Sequence, residues 1–381
     1  MARTLILGGG FGGITVATEL RRLVGKDHEI VLVDRSEHFT MGLRKLWAVV
    51  DAGTFEEGSR SRQQLTAQGV DFLHQEIDSI DPTHRSVTLG QRVLDGDYLV
   101  VALGAQSRPD LIPGLSEHAH NVWDPTGVPG LRAALAAIDH GRIAIVIAGV
   151  PYTCPPAPYE CAMLVDDFLR QRGVRQQTNV SVTTLQPILL PNAGKKGSDW
   201  LAGQLESRQI EFQTGRKVER FEPGRIIFSD GELEADLIIA VPPHRVPAVV
   251  RASGLTGDGE WVRVDPATLA TSYENVFAVG DVTQIKLANG LQLPKAGVIA
   301  ELEGQRVAAA IAADLSGESP PPDFDGRGYC FLEMGKASAT LIEGDFYAKP
   351  EPQVSLGEVS DEHAQEKRRF ETERLARWFE G

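Results

Sequence analysis

A glycine-rich turn after the first apolar segment constrains the fold of this chain more than any other feature. Thr4–Leu7 is a short apolar run that predicts a buried strand, and Gly8, Gly10 and Gly13 follow it with the spacing G-x-G-x-x-G. A helical pattern continues from residue 14 to residue 23. The glycines permit a tight turn, a close approach of a pyrophosphate to the backbone and close packing of helix on strand. The sequence therefore predicts a strand–turn–helix unit that binds a dinucleotide.

A carboxylate at the end of the next apolar run supports this prediction. Glu29–Asp34 is the predicted second strand, and Asp34 stands where dinucleotide-binding folds place the carboxylate that binds a ribose hydroxyl. The alternative is a glycine-rich turn that binds no ligand. The candidate dinucleotide-binding residues of this part of the chain are Gly8, Gly10, Phe11, Gly12, Gly13, Asp34 and Arg35.

Two later predicted strands end in short glycine motifs. Residues 97–105 end in Ala102-Leu103-Gly104, and residues 275–282 end in Gly280-Asp281-Val282. Both resemble the motifs by which flavoproteins of the two-dinucleotide-domain, glutathione-reductase-like superfamily close around FAD. This resemblance implies that FAD is the cofactor and that Asp281 binds its ribityl or pyrophosphate end.

The segment Pro294–Gly297 precedes a helical pattern that runs to about Asp314. The N-terminus of such a helix favours negative charge on a bound group. We expect it to face the pyrimidine ring of the flavin, with Lys295 stabilising the anionic reduced form; the alternative for Lys295 is a solvated loop side chain. The candidate FAD-binding residues of these later segments are Ala102, Gly104, Gly280, Asp281, Lys295, Ala296 and Gly297.

Prolines replace the glycine turn that would bind a second dinucleotide. Residues 142–148 form a β-branched apolar run that predicts a buried parallel strand. Four prolines lie between residues 151 and 158, and Cys154 lies among them. Proline has no N–H group and its ring blocks a close backbone approach, so this loop is unsuited to phosphate. It predicts a thiol site where a nicotinamide site would otherwise be expected.

The three cysteines differ in their sequence setting. Cys154 precedes a predicted helix that runs to about Arg172, and the start of a helix favours the thiolate form. Cys161 falls just inside that helix, and we interpret it as an inert buried residue. Cys330 lies far along the chain in a predicted C-terminal sheet, and spacing alone does not place it beside Cys154.

The segment Cys154–Glu160 closely resembles the active-site segment of the sulfide:quinone oxidoreductases and of the flavin subunit of flavocytochrome c sulfide dehydrogenases. Residues 328–346, which include Cys330, and residues 294–298 are also similar to segments of that family. The resemblance extends over essentially the whole chain. It implies a Cys154–Cys330 redox pair beside the isoalloxazine ring, sulfide or another small sulfur compound as substrate, and quinone or another electron acceptor on the opposite face.

Two departures from the flavocytochrome subunits favour quinone as the acceptor. Those subunits attach FAD through a cysteine near the position of Met41 and Gly42, and this chain has no cysteine before Cys154, which implies non-covalent FAD. They are also exported, and no export signal precedes the first strand. A cytochrome c acceptor stays open as an alternative. The others are an NAD(P)H-dependent flavin oxidoreductase similar to type II NADH dehydrogenases and a flavin-containing redox sensor without turnover.

Two titratable side chains near these motifs have alternative roles. Glu160 is a candidate general acid–base for the thiol protons, or a carboxylate that interacts with the helix dipole from the first turn. His244 follows two prolines and lies either close to the electron acceptor or in a surface turn.

The predicted fold class is α/β, with two Rossmann-like dinucleotide-binding domains, as in glutathione-reductase-like flavoproteins, plus a small C-terminal α+β region. We expect a discontinuous FAD-binding domain at residues 1–108 and 263–318, a second Rossmann-like domain at 109–262 and a C-terminal domain at 319–381. The last domain ends in a helix from about Asp361. Its Phe370, Leu375, Trp378 and Phe379 form an apolar face that would bind a membrane surface, its own domain or a second subunit.

Composition limits the partners and the location. The 381 residues carry a formal net charge of −14, which argues against binding to nucleic acid. No run of about 20 apolar residues occurs, and no metal site is expected. We expect a cytoplasmic protein, with the tail helix as the candidate for peripheral contact with the inner face of the membrane or for homo-oligomer formation.

Overall fold

The computed structural model describes residues 2–380. Its first sheet is parallel, with the strand that leads into the glycine-rich turn at its centre. The strand order is Val276–Ala278, Tyr98–Val101, Arg3–Leu7, Glu29–Asp34 and Asp71–His74. Helices Phe11–Leu23 and Gly297–Ser316 share a core with one face of this sheet. The first of these helices begins three residues before the predicted start, because Phe11, Gly12 and Gly13 already form its first turn.

The second sheet is also parallel and contains the strand that precedes the proline-rich loop. Its strand order is Ile210–Gln213, Thr178–Thr184, Gly141–Ile147 and Leu237–Val241. Helices Val128–Ala137, Ala157–Gln171 and Gly194–Ser207 pack against it. The sequence pattern predicts strands at residues 143–148, 180–185 and 237–241, and all three are confirmed, whereas Ile210–Gln213 was not predicted.

Each parallel sheet is accompanied by a small antiparallel sheet that the sequence did not predict. The first consists of Ser79–Asp81, Ser86–Leu89 and Arg92–Asp95, and the second of Val218–Glu222, Arg225–Phe228 and Gly231–Glu234. Each covers the remaining face of its parallel sheet with apolar side chains. The fold class with two Rossmann-like units is therefore confirmed, while the domain limits given above stay a prediction.

Short elements connect these layers. The additional helices are Arg44–Val49, Leu115–His118 and Ala248–Ala252. The two-stranded sheets pair His38–Thr40 with Ser59–Ser61, Gln106–Ser107 with His244–Arg245, and Val262–Arg263 with Thr283–Gln284. Arg62–Gln68 is a 3-10 helix of seven residues. Single 3-10 turns occupy Glu56–Gly58, Pro109–Leu111, Pro125–Gly127, Arg175–Gln177, Pro191–Ala193 and Gly280–Val282.

The C-terminal region is an antiparallel sheet followed by a long helix. The sheet contains the predicted strands Arg327–Gly335 and Ser338–Asp345 and a third strand, Gln353–Leu356. It packs on helix Ala157–Gln171, and the backbone N–H of Lys336 donates to Asp167 Oδ2 at 2.9 Å. This packing brings the strand that carries Cys330 next to the helix that follows Cys154.

The tail helix, Asp361–Phe379, packs on the C-terminal sheet and, near its end, on helix Phe11–Leu23. Leu375, Trp378 and Phe379 are buried, and the Trp378 ring meets the edges of Phe11 and Phe39 with centroids 5.2 and 5.6 Å away. Of the three alternatives for this face, the structure shows packing on its own chain. Membrane contact through these side chains would require the helix to leave this position. Within residues 2–380, no helix combines the length and apolarity that a membrane crossing needs.

Candidate active site

The glycine-rich turn is shaped as its sequence predicts. A side chain at Gly8 or Gly13 would overlap backbone atoms, because the Gly8 carbonyl packs on Gly13 and Ala102 packs on Gly8. A side chain at Gly10, by contrast, would meet no atom within 4 Å. The turn therefore closes tightly at its ends and leaves an open cradle at Gly10, as close approach of a phosphate requires.

Two charged side chains, Asp34 and Arg62, form hydrogen bonds with the backbone of Gly9 in this turn. The backbone N–H of Gly9 donates to Asp34 Oδ2 at 2.6 Å, and Arg62 Nε donates to the Gly9 carbonyl at 2.8 Å. Arg62 is buried, and sequence analysis missed it because its segment carries no motif. Arg35 is exposed and lies 3.7 Å from Glu76, so the structure does not bring it to the cavity.

A cavity of about 440 Å³ extends from the glycine-rich turn to the two cysteines. Its walls bring together most of the residues that the sequence predicted. The predicted site residues that line it are Gly10, Phe11, Gly12, Ala102, Gly104, Cys154, Glu160, Gly280, Asp281, Lys295, Ala296, Gly297 and Cys330. The first residues of helix Gly297–Ser316, Gly297 and Val298, line this cavity. The donor set and the open cradle fit an elongated dinucleotide cofactor.

Lys295 is buried, and its alternative as a solvated loop lysine is wrong. Its Nζ donates to the carbonyls of Asp281 and Thr283, both at 2.8 Å, and lies 3.7 Å from the ring centroid of Trp261. Burial lowers the pKa of Lys295 to about 8. The ammonium group thus fixes the Gly280–Asp281 turn.

The proline-rich loop presents Cys154 in a strained backbone conformation. Cys154 has a φ of 56°, in the left-handed region that only glycine adopts freely. Its N–H donates to the Lys295 carbonyl at 2.7 Å, and its own carbonyl accepts from Ala157 at 3.0 Å. The preceding Gly149 packs directly against Pro243, which closes the space that a second phosphate would need.

Cys154 and Cys330 are partly exposed free thiols that line the same cavity and lie within hydrogen-bond reach of each other. The adjacent Cys330 thiol lowers the pKa of Cys154, against the opposing effects of burial and Glu160. The same contact, together with burial, raises the pKa of Cys330. The lowered pKa agrees in direction with the expectation that Cys154 favours the thiolate form, but the neighbouring thiol, rather than the helix start, is its main cause.

A buried ion cluster lies beside the two thiols. Lys367 of the tail helix donates to Glu160 and, at 2.9 Å, to Glu333 Oε2. Trp47 Nε1 also donates to Glu333 at 2.7 Å, and the Glu333 N–H donates to Glu160 at 3.2 Å. Burial raises the pKa of Glu160, while Lys367 opposes that rise. Glu160 therefore interacts mainly with a lysine from the tail helix.

Sequence analysis missed Lys367, although a signal was present. Lys367 shares one helical face with Glu371, Leu375 and Trp378, all of which are buried. A lysine on the apolar face of an amphipathic helix indicates a buried ion pair.

A second, apolar cavity of about 40 Å³ lies on the other side of Cys330. Pro155, Pro156, Tyr329 and Phe346 are among its walls, whereas Cys154 is not. Cys330 therefore borders both cavities, and Cys154 borders only the larger one.

Cys161 lies where the sequence analysis expected it, whereas His244 is more buried than one of its two alternatives allows. Cys161 is buried, as expected, and burial raises its pKa to about 12. The surface-turn alternative for His244 is wrong, because its side chain is 2% exposed and its Nδ1 lies 3.0 Å from the Pro242 carbonyl oxygen. Burial lowers the pKa of His244 to about 4.

Known proteins share the sequence pattern and the fold. The pyridine nucleotide-disulphide oxidoreductase family matches residues 2–125 and 182–304, more than half of the chain, and neither range includes Cys154 or Cys330. The mitochondrial sulfide:quinone oxidoreductase of Mus musculus is 26% identical over 366 residues, which cover 91% of this chain and 78% of the mouse protein. The type II NADH:quinone oxidoreductase of Staphylococcus aureus is 26% identical over 343 residues, 83% of either chain.

The fold likeness extends over the whole length. The X-ray structure of the sulfide:quinone oxidoreductase from the hyperthermophilic bacterium Aquifex aeolicus matches with a TM-score of 0.89 at 23% identity. The match covers 100% of this chain and 92% of that one.

Proposed function

This chain belongs to the pyridine nucleotide-disulphide oxidoreductase family, and on that premise we propose that it oxidises sulfide at Cys154 and Cys330 and transfers the electrons through FAD to a quinone. The observation that carries the proposal is the meeting of these two thiols in the cavity that begins at the glycine-rich turn. The likeness to sulfide:quinone oxidoreductases in sequence and fold supports it.

The chain's own residues fit a non-covalent FAD. Gly10 and Gly12 would receive the pyrophosphate, and Asp281 with the start of helix Gly297–Ser316 would receive the flavin end. Asp34, which accepts from the Gly9 N–H, would support the turn on the ribose side. Bound FAD supplies the capacity to accept two electrons from a thiol pair and to pass them to a second acceptor. Met41 and Gly42 line the cavity where a covalent link would need a cysteine.

The pKa difference between Cys154 and Cys330 indicates which sulfur is attacked and which one leaves. Hydrosulfide attacks the Cys330 sulfur of the oxidised pair, which forms a Cys330 persulfide and breaks the bond to Cys154. Cys154 leaves as a thiolate, because the thiol of lower pKa is the better leaving group. The apolar cavity beyond Cys330 gives the attacking sulfur a route that does not cross the cofactor cavity.

A second hydrosulfide then removes the outer sulfur of the persulfide as a disulfide anion and leaves Cys330 as a thiolate. The two thiolates would re-form their disulfide with the loss of two electrons, for which bound FAD would be the acceptor. One proton is released for every two hydrosulfide ions consumed. Glu160 accepts this proton, since it is buried beside the thiols and its pKa is raised.

The acceptor end of the cavity is aromatic. Tyr329, Phe331 and Phe370 line it, with the Phe370 ring centroid 6.3 Å from Tyr329 and 6.2 Å from Phe331. Lys367 lies three residues before Phe370 and borders the same space. A quinone ring would stack on these side chains and receive a hydrogen bond from Lys367.

A second candidate function is NADH oxidation, which the likeness to type II NADH:quinone oxidoreductases favours. The prolines of the Cys154 loop and the packing of Gly149 against Pro243 oppose it. Steady-state consumption of a soluble quinone decides between the donors. Sulfide-dependent consumption with no response to NADH supports sulfide oxidation, and the reverse result rejects it. A single reduction by sulfide without steady consumption indicates a redox sensor.

A further inference from the structure

A buried carboxyl group lies directly behind the cofactor cavity and is not used in the scheme above. Glu303 is on helix Gly297–Ser316, about two turns from its start, and is 1% exposed. Its Oε2 accepts a hydrogen bond from the N–H of Gly280. Gly280 is also part of the cavity wall, so one peptide group separates Glu303 from the space that a flavin would occupy.

The surroundings of Glu303 contain several charged or titratable groups. Asp281 and Lys295 face it from the loops after the first sheet, Tyr347 faces it from the C-terminal region, and Arg306 lies one turn further along its own helix. An enclosed cavity of about 10 Å³ lies between Glu303, Lys295 and the Gly280–Asp281 turn. This volume holds about one water molecule.

Burial and the nearby Asp281 carboxylate raise the pKa of Glu303 to about 8, although the Gly280 N–H and Lys295 oppose the rise. Glu303 is therefore neutral below about pH 8 and charged above it. An added negative charge in the adjacent cavity would raise its pKa further, since like charges disfavour ionisation.

We propose that Glu303 is a positioning residue that takes up one proton from solvent when the flavin in the neighbouring cavity takes up two electrons. This inference rests on the flavin of the proposed function, but it requires neither sulfide nor quinone. In the balanced step, the two electrons enter the flavin from whichever donor is used, and the carboxylate of Glu303 becomes a carboxyl group. Neutralising this charge makes reduction easier than it would be beside a fixed carboxylate.

The test is the pH dependence of the flavin midpoint potential in the holoenzyme, measured by spectroelectrochemical titration. Below about pH 8, Glu303 is protonated in both redox states and adds nothing to the slope. Above pH 8, uptake of one further proton per two electrons steepens the slope by about 30 mV per pH unit, which is a tenfold change in equilibrium constant per unit. Lys295, whose pKa is also about 8, contributes to the slope in wild type and variant alike. Above pH 8 the wild-type slope should therefore exceed that of Glu303→Gln, which keeps an acceptor for Gly280, by about 30 mV per pH unit.

Glu318→Gln is the matched control, because it removes one negative charge from an exposed position just beyond the same helix. It should keep the wild-type slope. Equal slopes above pH 8 in wild type and Glu303→Gln, with flavin bound in both, would overturn the inference and leave sulfide oxidation unaffected. If Glu303→Gln loses its flavin, wild type alone decides, since a slope that does not steepen above pH 8 overturns the inference. A steeper slope in wild type than in Glu303→Gln, in a protein that sulfide does not reduce, would support the role of Glu303 and reject the proposed function.

Discussion

Lys367 and Glu160 form a buried ion pair that joins the tail helix to the helix after Cys154. The two residues are 207 positions apart in the chain, and both border the cofactor cavity. Glu333 shares the same ammonium group, so two carboxylates depend on one cation. The tail helix therefore supplies the positive charge that balances the two carboxylates beside the cysteines.

Removing this cation should destabilise the fold. Lys367→Met leaves Glu160 and Glu333 buried without their partner, and we expect the free energy of unfolding to fall by about 3–5 kcal/mol. Urea denaturation measures this change. Arg369→Met, on the exposed side of the same helix, is the control and should stay within about 0.5 kcal/mol of wild type. Equal effects of the two substitutions would contradict the assigned role of Lys367.

The adjacent Cys330 thiol should set the acidity of Cys154. Cys330→Ala removes the main cause of the lowered pKa, so a higher pH should be needed to form the Cys154 thiolate. The charge-transfer absorbance between a thiolate and oxidised flavin reports this titration. Cys161→Ala is the control, because Cys161 is buried away from the pair and should leave the curve in place. An unchanged titration in Cys330→Ala would show that the helix start, rather than Cys330, stabilises the thiolate.

His244 should make folding stability sensitive to mild acid. Its pKa is about 4 in the folded protein, below the value of about 6.5 in an unfolded chain. The unfolded state therefore binds more protons between these values, and the free energy of unfolding should fall by about 3 kcal/mol as pH drops from 6.5 to 4. Denaturation curves across this range, compared with His244→Gln, isolate the contribution. His140→Gln, at an exposed position, should keep the wild-type dependence.

The contact between Trp378 and Phe11 should couple the tail helix to cofactor retention. Phe11 lies within the glycine-rich turn, and Trp378 packs on it. Trp378→Ala should lower the free energy of unfolding by about 3–5 kcal/mol and release flavin at lower urea concentrations than wild type does. Glu373→Ala, on the exposed face, should change neither. Stronger vesicle binding by wild type than by a chain ending at residue 360, with equal flavin retention, would restore the membrane role of this helix.

Local motifs carried most of what the sequence predicted correctly. The glycine-rich turn, the strands around it and the setting of Cys154 depend on neighbouring residues, so their patterns are visible in the chain. The burial of Lys295 and His244 depends instead on distant segments: Trp261 and the Thr283 carbonyl surround Lys295, and strand Gln106–Ser107 pairs with the strand of His244. Both residues were therefore given a solvent-exposed alternative that the structure does not support.

The meeting of Cys154 and Cys330 could not be worked out from spacing. It arises because the C-terminal sheet packs on helix Ala157–Gln171, where Glu333 and Lys336 bond to Glu160 and Asp167. Arg62 was missed for a related reason, since it reaches the Gly9 carbonyl from a segment without a motif.

The most direct test of sulfide oxidation is an anaerobic titration of the purified holoenzyme with sulfide, followed by addition of a soluble quinone. We expect stoichiometric sulfide to bleach the visible flavin band and quinone to restore it, whereas Cys154→Ser should keep its flavin and stay oxidised. Bleaching by NADH but not by sulfide, or full bleaching of Cys154→Ser by sulfide, would contradict the account.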